Sequence, residues 1–224
     1  SQLKNRDKAM KILIADCSTL TQNNDLDITV FQEYGDVVYN PNISRDELIN
    51  TVHQYDIILC NKTIIDKPVI EKGKKLKFIG LLATGYNNID VIAARERGIT
   101  VCNAGSYSTS AVAQQTFAYI LEHYNAINRY NDYVQHGGWQ NSSTFAVLCF
   151  PTDELKNKTI GIIGYGSIGK RVAEIALAFE MNVLVYTRTP KDDSRVRFVS
   201  LDELLKSSDI VTPHCPLNEQ SREM

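Results

Sequence analysis

Short apolar runs separated by segments of helical spacing set the pattern of this chain. Residues 11–15, 36–39, 56–60, 77–82 and 99–102 read as strands. They are continuously apolar rather than alternating, as in parallel strands covered by helices on both faces. Between them, residues 44–54 read as a helix, with Ser44 as N-cap and Glu47 three positions on completing a capping box. Residues 88–97 form another, stopped by Gly98. A longer helix is expected over about 109–129, where Val112, Thr116, Phe117, Ile120, Leu121 and Ile127 recur at helical spacing. The stretch 137–154, with Gly-Gly-Trp, Ser-Ser and Pro-Thr, reads as a connection. A second series follows: strand 159–163, helix 167–179, strand 182–186, short strand 196–199, helix 201–207 and strand 209–212.

At 224 residues the chain exceeds a single domain of roughly 150. The alternation predicts two α/β domains, over 10–103 and 104–224, the second led by the helix at 109–129. Residues 1–9 are polar, precede a Met that opens the first strand, and read as a leader or cloning remnant. With 24 basic and 26 acidic side chains the net charge is -2, so no positive field favours nucleic acid or an anionic membrane. No apolar run approaches the ~20 residues of a membrane span. Five widely spaced cysteines contain no Cys-x-x-Cys pair, which excludes zinc ribbons and suits a reducing cytoplasm. Cys60 and Cys102 end apolar runs and read as buried thiols. Lys72, Lys74, Lys75 and Lys77 read as a solvated turn. Trp139 reads as a packing anchor, and His53, His123 and His136 as surface or helix-face residues.

Chemistry concentrates at Gly164-Tyr165-Gly166-Ser167-Ile168-Gly169, a Gly-x-Gly-x-x-Gly between an apolar strand and an amphipathic helix. In that context Gly164 allows a tight turn, Gly166 lets backbone approach a pyrophosphate, and Gly169 lets helix pack on strand. The helix N-terminus then offers free N–H groups and a positive dipole end to phosphates. The competing explanation is a glycine-rich turn without a ligand. In NAD-selective sites an acid about 20 residues further on holds the ribose 2′-hydroxyl. Here Thr187 takes that place and Arg188 follows, which predicts a preference for NADP, because a guanidinium pairs with a 2′-phosphate. The alternative is that Arg188 is a solvated loop residue.

Several stretches in this order resemble the D-isomer-specific 2-hydroxyacid dehydrogenases. They are Ala83-Thr84-Gly85-Tyr86-Asn87-Asn88-Ile89-Asp90, Ser108-Thr109-Ser110-Ala111-Val112-Ala113-Gln114-Gln115-Thr116, the approach Leu155 to Ile163, and Asp209-Ile210-Val211-Thr212-Pro213-His214-Cys215-Pro216-Leu217. Gln114 and the Thr187–Arg188 pair are similar to the glycerate dehydrogenase and hydroxypyruvate reductase branch.

The resemblance implies a flavodoxin-like substrate domain over 10–103, a Rossmann NAD(P) domain that is incomplete over 104–224, a twofold homodimer and hydride transfer with a small 2-oxo acid held between domains. It implies that backbone at Thr84 and Gly85 holds the substrate carboxylate. Val112 and Thr116 would lie beside nicotinamide and phosphates, Ser167 and Ile168 at the pyrophosphate, and His214, Cys215 and Pro216 on the adenosine side. The family's Arg, Glu and His lie downstream of the His-Cys-Pro-Leu stretch, so no catalytic residue is expected within these 224 positions. His214 is then a cofactor-wall residue rather than the proton donor. A dinucleotide-sensing regulator of the same fold, or a cofactor-binding fragment without turnover, stands as the alternative.

Overall fold

The computed structural model describes residues 10–23, 25–189, 191–217 and 221–222; the segment 1–9 lies outside them. The chain divides into two compact units between Tyr107 and Ser108.

The first unit contains β1 (Met10–Ile14), β2 (Gly35–Tyr39), α1 (Arg45–Thr51), β3 (Ile57–Cys60), α2 (Lys67–Lys72), β4 (Phe78–Leu81), α3 (Val91–Glu96) and β5 (Thr100–Cys102). Its strands pair in parallel in the order β2-β1-β3-β4-β5, the flavodoxin-like arrangement. Leu13, Ile58 and Ile79 point to the face on which Leu48 of α1, Ile70 of α2 and Ala94 of α3 are buried. Ile12, Ile14 and Leu59 point the other way, and among the described residues the helical cover there is 3₁₀ rather than α. A 3₁₀ segment, Ile28–Glu33, brings Ile28 and Phe31 onto them. Local chemistry sets the helix starts. Ser44, Asp66 and Asp90 each accept a backbone N–H from the first turn of α1, α2 and α3. Gly98 follows α3 at φ 67°, as its assigned stop requires. Cys60 is buried, but Cys102 is exposed, because β5 is an edge strand with one side open.

The second unit contains α4 (Thr109–Asn125), α5 (Ile127–Gln135), β6 (Thr159–Ile163), α6 (Ser167–Ala178), β7 (Asn182–Tyr186), β8 (Arg197–Phe198), α7 (Leu201–Ser207) and β9 (Ile210–Pro213). The parallel order β8-β7-β6-β9 is that of the first four strands of a Rossmann sheet. Ile160, Ile162, Val183 and Val185 bury against Phe117 of α4 and Val172 of α6. Ile163 and Leu184 on the opposite face bury against Leu204 of α7. The helix expected to run unbroken over 109–129 breaks at Ala126, which is left-handed (φ 49°, ψ 42°) and still donates its N–H to Glu122 O at 2.9 Å. The Glu122 carboxylate then accepts the N–H of Asn128 and restarts the chain as α5. Trp139 is 54% exposed, so it does not serve as the expected packing anchor. Among the described residues no helix is long and apolar enough to cross a membrane.

Candidate functional site

The loop after β6 is stitched between the carboxyl ends of its two neighbours. Gly164 N–H donates to Tyr186 O at 2.8 Å, and His214 N–H donates to Ile163 O at 2.7 Å. A cavity of about 410 Å³ opens there, lined by the glycine loop, by residues 186–189 and Lys191 after β7, and by His214, Cys215 and Pro216 after β9. It lies where the strand order reverses between β6 and β9, the place at which doubly wound sheets bind ligands.

The three glycines differ in what a side chain would meet. At Gly164, with φ 98°, a Cβ would stand 2.7 Å from His214 O. At Gly169 it would stand 2.1 Å from Gly164 O. At Gly166 it would meet nothing within 4 Å, yet Gly166 lines the cavity. The first two are therefore demanded by the fold, and the third keeps space open for a ligand. Gly166 caps α6 without a side-chain hydrogen bond, and the positive end of the α6 dipole at this terminus favours a phosphate. These residues fit a dinucleotide. Ser167 and Ile168 open α6 beside Gly166 without lining the cavity, and the Ile168 side chain packs on the core.

Tyr165 lines the cavity but is only 3% exposed. Its ring stands edge-on to Phe198, and its hydroxyl donates to Asp193 Oδ2 at 2.8 Å. Burial, together with that carboxylate, pushes the phenol up to about 12. Hydrogen bonds from Arg195 and then from Tyr165 hold the Asp193 carboxyl well below the usual carboxylate range. Thr187 and Arg188 line the cavity beside the fingerprint, and no carboxylate lines it among the described residues.

Val112 and Thr116 do not reach this cavity. They line a neighbouring hollow of about 470 Å³ with β9, and His214 borders both. The His214 Nε2 sits 2.9 Å from Thr212 Oγ1, and burial lowers its pKa below that of a free imidazole, so it is neutral at pH 7. In the first unit, Thr84 and Gly85 follow β4. The Thr84 carbonyl accepts from Asn103 Nδ2 at 2.8 Å, while Gly85 is exposed with only Asn87 Oδ1, at 3.5 Å, near its missing Cβ. Sequence reasoning missed Asp16, which is fully buried after β1. Its carboxylate accepts the consecutive N–H groups of Asn61, Lys62 and Thr63 and the Thr63 hydroxyl. A single acid after an apolar run carries no signal that would have found it. Among the described residues no cluster could hold a metal ion.

Comparison with known proteins agrees with this geometry. Residues 117–224 match the model of the D-isomer specific 2-hydroxyacid dehydrogenase NAD binding domain. A hydroxypyruvate reductase of Blautia hydrogenotrophica is 38% identical over 214 residues, covering 93% of this chain and 66% of its own. A glyoxylate reductase of Thermococcus litoralis is 35% identical over 186 residues, covering 80% of this chain and 56% of its own. An acyclic imino acid reductase solved in complex with NADPH and D-Arg superposes with a TM-score of 0.81 at 33% identity, over 95% of this chain and 67% of that one. The chain belongs to the D-isomer-specific 2-hydroxyacid dehydrogenase family, a family of NAD(P)-dependent oxidoreductases, and spans about 56–66% of the length of these two reductase relatives.

Proposed function

We propose that the protein transfers hydride between NADP(H) and a small 2-oxo or 2-hydroxy acid of the hydroxypyruvate, glyoxylate and glycerate class. The observation that carries this reading is that Thr187 and Arg188 line one cavity with the glycine loop, where an NAD-selective site would present a carboxylate. The NADPH in the imino acid reductase relative supports the cofactor choice, and the names of the hydroxypyruvate and glyoxylate reductase relatives support the substrate class.

When bound, the nicotinamide supplies the hydride. The chain's own residues bind and orient. The α6 N-terminus neutralises the pyrophosphate, Arg188 pairs with the 2′-phosphate, and the Gly85 backbone takes the substrate carboxylate, because a missing side chain lets the main chain come close. Neutral His214 walls the cofactor and donates no proton. In this reading the present chain binds cofactor, and turnover belongs to the whole protein. The free thiols suit a reducing cytoplasm. Exposed Phe145 and Leu148 suit burial in a homodimer, which light scattering measures.

The test is titration with NADPH and NADH, with turnover of hydroxypyruvate by this chain and by the full reading frame. NADPH is expected to bind several-fold tighter, and Arg188→Ala to remove that difference by raising the NADPH Kd about tenfold. Equal affinities, unchanged in the variant, defeat the NADP reading. Cofactor binding without turnover by the full frame favours a dinucleotide sensor instead.

A further inference from the structure

The loop between β7 and β8 carries more charge chemistry than the Thr187–Arg188 pair. Lys191 lines the same cavity, and it has no ion-pair or hydrogen-bond partner among the described residues. Two residues on stands Asp193, whose side chain is only 12% exposed. A carboxylate this close to the fingerprint is what an NAD-selective site uses to hold a ribose hydroxyl and to repel a phosphate.

Here both of its oxygens are committed. Asp193 Oδ1 accepts from Arg195 N at 3.2 Å and from Arg195 Nε at 2.9 Å. Its Oδ2 accepts from Arg195 Nη2 and from the Tyr165 hydroxyl, both at 2.8 Å. The guanidinium cancels the charge through a two-point pair. The Tyr165 hydroxyl ties that pair to the glycine loop itself, and Lys170 Nζ lies 5.9 Å from the Tyr165 ring.

We propose that this loop is a two-cation phosphate reader, Arg188 and Lys191, whose own carboxylate Asp193 is held outside the cavity lining and taken out of play by Tyr165 and Arg195. Lys191 is a second ligand for the 2′-phosphate of NADP. Tyr165 and Arg195 are positioning residues that act through Asp193. The inference rests on the NADP reading above and adds to it how the site keeps its own acid away from the phosphate.

Binding of NADPH and NADH is measured by calorimetry on the chain and four variants. Lys191→Ala, at an exposed position, is expected to raise the NADPH Kd about tenfold and to leave the NADH Kd within about twofold. Tyr165→Phe keeps the ring and its packing but releases one donor. It is expected to narrow the preference for NADPH about threefold, with little change for NADH. The second substitution Asp193→Asn in the Tyr165→Phe background is expected to restore the preference, because the charge is then gone. A purely structural role for Tyr165 would leave the double variant no better than the single one, and that result overturns the positioning role. An NADPH preference that survives Lys191→Ala but is lost in Arg188→Ala overturns the second cation and leaves the NADP reading standing. Equal NADPH and NADH affinities in the unmodified chain, unmoved by Arg188→Ala, overturn both.

Discussion

Gly166→Ala separates binding from folding at this site. The backbone there (φ -80°, ψ -162°) is open to any L-residue, and the added methyl would meet no protein atom within 4 Å. The cost to stability is that of exchanging glycine for alanine at a helix N-cap, about 0.5–1 kcal/mol. In a unit of this size that lowers the midpoint by no more than about 4 °C. Binding suffers far more, because the methyl occupies the cavity over the first-turn N–H groups of α6. Losing two hydrogen bonds to a charged phosphate, at roughly 1.5–3 kcal/mol each, gives about 3–6 kcal/mol. That is an increase of about 10²–10⁴ in the NADPH Kd. Gly169→Ala is the contrast, since its Cβ would stand 2.1 Å from the Gly164 carbonyl oxygen and the backbone must move. It is expected to lose stability and binding together. Calorimetric titration and a thermal melt on each variant provide the readout. Wild-type NADPH affinity in Gly166→Ala would refute the placement of the pyrophosphate, and a collapse of its midpoint would refute the account of the free space.

Two further expectations concern the rest of the chain. Asp16→Ala removes the acceptor shared by the Asn61, Lys62 and Thr63 N–H groups and the Thr63 hydroxyl, and at least two of these groups lose their partner. With unsatisfied buried groups costing about 1–3 kcal/mol each, the first unit is expected to lose about 3 kcal/mol in urea unfolding, and a loss below about 1 kcal/mol refutes this. Burial lowers the His214 pKa in the fold, so between that value and the free imidazole's 6.5 the unfolded chain binds more protons. The His214 contribution is therefore fully present above pH 6.5 and is lost as pH falls through the folded value. His214→Gln is expected to flatten that part of the profile, and an unchanged profile counts against the assignment.

Most of the fold was legible because its signals are local. Ser44 before α1 and Gly98 after α3 act within one turn of chain, and both work as read. The apolar runs placed the strands to within a residue or so, because a strand covered on both faces must be apolar throughout. What failed depends on distant partners or on unmarked backbone. Ala126 adopts a left-handed conformation with neither glycine nor proline to announce it, held by burial and by Glu122. Cys102 looks buried by its neighbours in sequence, and only the strand order reveals that β5 lies at an edge. Helix α2 is marked by Asp66 and Pro68, a cap and a first-turn proline, and both were legible signals passed over.

The cofactor site divides along the same line. Gly164 is readable because the turn itself demands a positive φ there, and Gly169 because the loop returns on itself, so that its Cβ would meet Gly164 O five residues away. Tyr165 occupies a position the motif leaves free, and its partner Asp193 lies 28 residues downstream, brought back only by the return of the chain into β8. Counting from the glycines to Thr187 finds the missing acid, but it does not find the acid that the loop retains. Discrimination at such a site follows from the free charge in the cavity rather than from one side chain at the end of β7. An acidic residue in this loop is compatible with a 2′-phosphate only when the fold supplies donors that consume it, as Tyr165 and Arg195 do for Asp193.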